Sequence, residues 1–321
     1  MSKALFRLAL VALVAIGLLV ACGRQPPASP TVDTRTPDGA VLAAARLLKA
    51  GDFDGLAQAT LPPDEYRAQR DAWTREHLSV ADITDEDRRK FAATMQRLTA
   101  PDAEQKLFAQ LKPQLAAFEQ QYKDQVPMMI GIGQTMVGTA LDQSADLTAA
   151  QKAQAKEALA ALAQWAQGVA WTDPAKAQQA IAAICDTARR LDLKTLDEVR
   201  ALPYAQAMQK YGLAWQGLKR LTAVYGLDLD QVLDSAKAET LANDGQTARL
   251  KVTYTLFGKP ISGETVMLQR DGRWYDQGVL EARAKARAAQ TVSAPAPGAV
   301  PPPAAAKAPA AAAPAAKPPA Q

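Results

Sequence analysis

The sequence predicts an α+β protein, in which a mainly helical body is followed by an antiparallel meander of three or four strands. Two observations predict it. Apolar residues recur every three or four positions over residues 38–235, and every second position from about residue 236. The body is expected to span residues 38–288, with the sheet at about 236–280. These 250 or so residues suffice for one large core or two small ones.

Helices are predicted throughout the first part of the body. Three apolar series have helical spacing: Leu107, Leu111, Leu115, Phe118 and Tyr122; Leu159, Leu162, Trp165 and Val169; Met208, Tyr211, Trp215, Leu218 and Tyr225. Helix starts are marked by capping boxes and by a capping residue before proline: Thr148 with Gln151, Thr195 with Glu198, and Asp173 with Pro174. Carboxylates at 85–87 are typical of a helix start.

The predicted meander begins with a turn at Asn243-Asp244-Gly245. Residues 248–257 then alternate between apolar and polar, with Phe257 as the last position of the run. A second strand is expected at 264–269, followed by a turn at Asp271-Gly272 and a short strand containing Trp274 and Tyr275. The sequence therefore favours three or four antiparallel strands.

Helices followed by a meander that ends in Gly-Arg-Trp-Tyr (272–275) resemble the cystatin-like or nuclear-transport-factor-2-like fold. The segments Pro-Asp-Gly-Ala-Val (37–41) and Gly-Asp-Phe-Asp-Gly (51–55) are similar to the first helices of such domains. The resemblance covers about 90 residues. It implies a curved sheet wrapped around helices, with residues 85–225 inserted as a helical segment between the first helices and the sheet.

The first 21 residues have the composition of an export signal. Lys3 and Arg7 precede an apolar stretch at residues 8–19, which is too short to span a bilayer because a spanning helix needs about 20 apolar residues. The segment is therefore predicted to direct export and to be removed.

The signal ends in Leu19-Val20-Ala21-Cys22, which resembles the lipobox of bacterial lipoproteins. The resemblance implies diacylation of Cys22, cleavage before it and acylation, palmitate included, of the new terminus. Gly23 follows, and a non-acidic residue there resembles the default signal for the outer membrane. The expected location is the periplasmic face of the outer membrane, where two or three acyl chains make a permanent anchor.

Charge argues against nucleic-acid binding. Removing residues 1–21 takes Lys3 and Arg7 from the 37 basic residues and leaves 35 against 33 acidic ones. Without a basic stripe there is little to neutralise phosphates. If Cys22 is lipidated, Cys185 has no partner within the chain, and a lone cysteine beside Ile181 and Ile184 is expected to be a small buried apolar residue.

Low-complexity segments flank the body. Residues 22–37 are proline-rich and polar and are predicted to form a lipidated N-terminus and flexible linker. Residues 289–321 are almost entirely Ala and Pro and are predicted to form a disordered tail. Such a tail either keeps the chain soluble or contacts a partner, which could be an envelope protein or peptidoglycan.

An unusual segment rich in methionine and glycine occupies residues 128–138. It lacks the lysine and the preceding strand of a phosphate-binding loop. The first interpretation is a packed helix in which Gly131, Gly133 and Gly138 permit close contact. The alternative is an apolar groove for a lipid or a partner helix, lined by a set of candidate residues: Met128, Met129, Gly131, Gly133 and Met136.

Little in the sequence predicts catalysis. His77 is the single histidine, and its helical face also carries Tyr66 and Trp73, which favours an aromatic cluster over a general base. No motif predicts a metal site or a cofactor. Three functions follow, in this order: a non-enzymatic envelope protein that acts as a binding or scaffold module, a carrier of an apolar ligand, and an enzyme that uses His77.

Overall fold

The computed structural model describes residues 33–76, 83–122, 124–145 and 147–293. The predicted signal, Cys22, His77 and the Ala/Pro-rich tail from residue 294 lie outside the described residues. Within the described part, the chain is α+β, as predicted. It forms twelve helices and one four-stranded antiparallel sheet.

The helices precede the sheet, apart from the last. In chain order they are α1 (Pro37–Ala50), α2 (Phe53–Thr60), α3 (Pro63–Glu76), α4 (Asp85–Thr99), α5 (Ala103–Tyr122), α6 (Val126–Gln143), α7 (Ala149–Gly168), α8 (Pro174–Leu191), α9 (Leu196–Ala201), α10 (Tyr204–Val224), α11 (Leu229–Asp234) and, after the sheet, α12 (Gln277–Ser293). The helical segment predicted between the first helices and the sheet corresponds to α4–α10.

The predicted helix starts are confirmed. Thr148 and Thr195 form capping boxes with Gln151 and Glu198, and the Asp173 carboxylate accepts from two backbone N–H groups of α8. These caps satisfy amides that have no partner within their own helix. The carboxylates at 85–87 lie in the first turn of α4, as expected.

The sheet is a simple meander in the order β1 (Lys237–Asn243), β2 (Thr247–Leu256), β3 (Lys259–Arg270) and β4 (Arg273–Asp276). Its two outer turns were predicted correctly. The middle turn was not: β3 begins at Lys259 instead of residue 264, and Phe257 lies in the turn and not in a strand. The pair Phe257-Gly258 replaces the Asn-Gly or Asp-Gly pair that usually signals such a turn.

One face of the sheet carries the core. Every second residue of β2 is buried, and the face divides between two groups of helices. At one end, Leu250 and Trp274 pack with Val41 of α1. At the other end, Tyr254 and Leu256 pack with α7 and α11. The sheet therefore joins α1 to α7 and α11.

Helix α8 connects the remaining helices, since it packs against α4, α5 and α10. Cys185 of α8 is fully buried beside Ala103 and Ile181, which confirms that it is a small apolar core residue. Burial raises the pKa of its thiol, so it is poorly ionised at neutral pH.

The folded body begins earlier than predicted. The flexible linker was expected to reach residue 37, but Thr34 is buried and its carbonyl accepts from the Trp274 backbone N–H at 3.0 Å. The Arg35 carbonyl accepts from the Trp274 indole at 3.1 Å. Residues 33–36 therefore pack along β4 and belong to the body.

Helix α12 was not predicted. Residues up to Leu280 and those from Glu281 fall into two separate units. The described part of the second unit, residues 281–293, is helical and rich in Ala, Arg and Lys, which are strong helix formers. The tail was predicted to begin at residue 289, but the helix continues through Ser293.

Glycines on two helices have opposite surroundings. A Cβ on Gly212 of α10 would overlap the Gly51 carbonyl oxygen, whereas one on Gly133 of α6 would meet nothing within 4 Å. We expect Gly212→Ala to lower the free energy of unfolding by about 1–3 kcal/mol through overpacking. The matched Gly133→Ala should raise it by about 0.5–1 kcal/mol through helix propensity. Urea unfolding followed by circular dichroism measures both, and equal effects would contradict these packing contacts.

Candidate ligand-binding pocket

An open pocket of about 390 Å³ lies beside the end of the sheet, where α7, the start of α8, the chain after α10 and the β2–β3 turn meet. This volume is within the range of small-molecule sites, which begins near 300 Å³. The pocket is lined by Ala161, Gln164, Trp165, Gly168, Val169, Lys176, Tyr225, Phe257 and Lys259. Four separate segments of the chain contribute to it.

Aromatic rings form much of the pocket wall. Phe257 stacks on Trp165 with ring centroids 5.3 Å apart and an interplanar angle of 11°. Trp171 contacts Trp165 edge-on at 5.4 Å and lies 5.2 Å from Tyr225. The Trp165 indole donates to the Tyr225 carbonyl at 2.9 Å, which fixes the ring. The aromatic part of the wall is therefore held by ring contacts, and the indole donors of Trp165 and Trp171 are both used.

The turn that supplies Phe257 is strained. Phe257 has φ of 50° and Gly258 has φ of 78°, both in the left-handed region. A two-residue hairpin turn needs this geometry, but a bulky side chain rarely adopts it. The strain costs about 1–3 kcal/mol and persists only where the surrounding structure imposes it. Stacking on Trp165 offsets part of this cost.

Two lysines give the pocket a positive charge. The Lys259 ammonium donates to the Gln164 side-chain oxygen. The Lys176 ammonium forms no hydrogen bond or ion pair within the residues that the structure describes. The Asp173 carboxylate, whose charge reaches Tyr225, is already held by backbone N–H groups at the start of α8. The pocket thus offers a cation that no described protein group pairs with.

The Tyr225 hydroxyl remains protonated at neutral pH. Burial, and then the nearby Asp173 carboxylate, raise the pKa of its phenol above the usual value of 10.0. It can therefore donate a hydrogen bond. The aromatic part of the wall, two ammonium groups and a phenol are suited to a ligand that joins an apolar or aromatic group to an anionic one.

The residues predicted to line a groove lie elsewhere, on α6. Met128, Met129, Ile132 and Met136 are 52–68% exposed, so they form an open face and do not line the pocket. The expectation that Gly131, Gly133 and Gly138 permit close helix packing was wrong, because a Cβ on any of them would meet nothing within 4 Å. The methionines therefore do not fill the core.

The pocket residues were not identified from the sequence as a site. Trp165 and Tyr225 were placed in apolar helical series, and Lys176 and Lys259 were not singled out. The local signal that could have found part of the site is the pair Phe257-Gly258 before a strand, because a glycine there marks a possible turn. The convergence of four distant segments has no local signal.

No family model, curated protein or solved structure matches this chain. Among the described residues, no group of three or more His, Cys, Asp or Glu side chains is placed to hold a metal ion. No helix in the described ranges is long and apolar enough to cross a membrane. The resemblance to cystatin-like and nuclear-transport-factor-2-like domains stays a prediction.

Proposed function

We propose that this chain is a lipoprotein, anchored through Cys22 on the periplasmic face of the outer membrane, that acts as a non-enzymatic binding protein. The pocket beside the sheet binds a small molecule that carries an anionic group and an apolar or aromatic one. The lipobox-like residues 19–22 and Gly23 support the anchor. The ligand comes from the membrane or the envelope around it.

The observation that supports binding most strongly is Phe257. Backbone strain at a bulky residue is commonly stored where a binding site uses it. Here the strained turn places one ring face-to-face with Trp165 at the pocket wall, with Lys259 two residues later on the same hairpin. An Asn-Gly turn would close the same hairpin without strain and without the ring.

Titration with the anionic fluorophore 8-anilinonaphthalene-1-sulfonate tests the pocket. We expect the wild-type chain to bind one probe with a blue-shifted emission, and Lys176→Met to weaken binding about tenfold. That factor corresponds to the loss of one charge-assisted contact worth about 1.4 kcal/mol. Methionine keeps the apolar stem and removes the ammonium. Nile red, which is uncharged, should bind both proteins alike.

Two variants serve as controls for this titration. Lys112→Met removes an exposed lysine of α5, away from the pocket, and should leave probe affinity unchanged. Met136→Glu disrupts the exposed face of α6, which could also attract the dye. If Met136→Glu abolished probe binding and Lys176→Met did not, the pocket would not be the site and the proposal would fail.

A further inference from the structure

Helix α6 exposes an apolar face that no other described element covers. Its residues 126–141 include no charged side chain, and its principal packing partner is α7 alone. The four large apolar residues on the opposite face are more than half exposed. Exposed apolar patches of this kind usually mark an interaction surface.

The exposed face contains a ridge and a groove side by side. Residues four apart form a row along a helix. Met128, Ile132 and Met136 form a row of large side chains, and next to it Gly131, Thr135 and Thr139 form a row of small ones. A Cβ on Gly131 would meet nothing within 4 Å, so no described part of this chain covers the groove at Gly131.

The polar atoms of this groove already have partners. The Thr135 hydroxyl donates to the Gly131 carbonyl and the Thr139 hydroxyl to the Thr135 carbonyl, each at 2.9 Å. Covering the groove with apolar side chains therefore leaves no buried hydroxyl without a hydrogen bond. The groove can be buried at little polar cost.

We propose that α6 pairs with α6 of a second copy of this chain, the large-residue row of each copy filling the small-residue row of the other. Two-fold pairing requires one surface that carries both complementary parts, and this face does. Rows of residues four apart pack into one another in the commonest class of helix crossing. Met128, Ile132 and Met136 supply the side chains that fill the groove.

A face formed by one helix is expected to make a weak pair in free solution. The largest exposed apolar patch on a typical monomer covers about 300–600 Å², against about 800 Å² per partner in a standard interface. Confinement to one membrane raises the effective concentration, and this step rests on the proposed anchor. The ten residues between Cys22 and Asp33 span at most about 35 Å, which keeps two bodies near the same surface.

Cysteine crosslinking of the full-length chain in its own cells tests the pair. We expect Ile132→Cys, at the centre of the ridge, to give a disulfide-linked species of twice the monomer mass. The yield should exceed that of the exposed control Lys112→Cys on the order of tenfold. The parent chain should give none, because Cys185 is fully buried and Cys22 carries lipid in the proposed mature form.

Gly131→Leu in the Ile132→Cys background separates pairing from chance collision. The added side chain fits the monomer, since nothing lies within 4 Å of the Gly131 Cβ position, but it fills the groove. We expect it to abolish the crosslinked dimer while the unfolding midpoint is maintained. Yields for Ile132→Cys no higher than the control, a crosslink to a different protein, or a dimer unaffected by Gly131→Leu would overturn the proposal. None of these outcomes depends on probe binding in the pocket.

Discussion

Cys22→Ser is expected to abolish lipid attachment entirely. In the proposed lipoprotein the Cys22 thiol is the nucleophile that attacks the lipid donor, and a serine hydroxyl would not replace it in the lipobox-like sequence 19–22. Each acyl methylene buried in the membrane contributes about 0.8 kcal/mol to anchoring. Without an acyl chain this contribution is lost. Metabolic labelling with a clickable palmitate analogue should therefore mark the wild-type chain and leave the variant unmarked.

Cys185→Ala is the matched control for this experiment. It removes the second cysteine of the chain, which is fully buried in the helical core. Labelling should persist in Cys185→Ala, and intact-mass analysis should place the new N-terminus at Cys22. Palmitate on Cys22→Ser, or a mature chain that begins elsewhere without lipid, would refute the proposed anchor.

Lys219→Ala is expected to cause the largest loss of stability among substitutions of charged residues in the described part of the body, because Lys219 is the one charged residue there that is buried. The Lys219 side chain is 7% exposed, and its ammonium lies 2.9 Å from the Asp230 carboxylate of α11. It also lies 3.4 Å from the Lys49 carbonyl at the end of α1. Removing one partner of a buried pair costs about 3–5 kcal/mol. Because Asp230 is partly exposed, we expect about 3 kcal/mol by urea unfolding.

The next residue on the same helix provides the control. Arg220 pairs with Asp186 of α8, and both side chains are more than 40% exposed. An exposed pair contributes about 0–1 kcal/mol, so Arg220→Ala should cost little. A loss for Lys219→Ala no larger than that for Arg220→Ala would show that the Lys219 ion pair does not join α1, α10 and α11.

Lys219 belongs to a group of α10 side chains that donate hydrogen bonds to the last carbonyls of α1. The last carbonyls of a helix have no partner within it. The Trp215 indole donates to the Leu48 carbonyl at 2.9 Å and the Gln216 amide to the Ala50 carbonyl at 3.1 Å. Lys219 donates to the carbonyl between them. These hydrogen bonds hold α10 at the C-terminal end of α1, where Gly212 lies against Gly51 and has no room for a side chain.

Features that depend on neighbouring residues could be predicted from the sequence. The capping boxes at Thr148 and Thr195 and the alternation along β2 involve residues within four positions of one another, and each is confirmed. The β2–β3 turn failed because Phe257 takes a conformation that its own side chain disfavours. Stacking on Trp165, 92 positions away, stabilises it there, and no local rule contains that contact.

Glycine shows the same limit on prediction. Gly131 and Gly212 both lie within apolar helices, and the sequence suggested close packing for the first. The structure leaves Gly131 open and encloses Gly212 against Gly51. The difference lies in which helices become neighbours, a property of the tertiary fold. The pocket depends on it too, because Trp165, Tyr225 and Phe257 come together only after folding.

Native mass spectrometry of the full-length chain, released in detergent from the membranes of its own cells, tests whether the pocket binds a ligand. We expect a second mass, beyond the lipid at Cys22, that belongs to an anionic molecule with an apolar or aromatic group. Lys176→Met should lose that mass and keep the lipid. If the wild-type chain carried the lipid but no second mass, which is the result expected for Lys176→Met, the binding function would be contradicted.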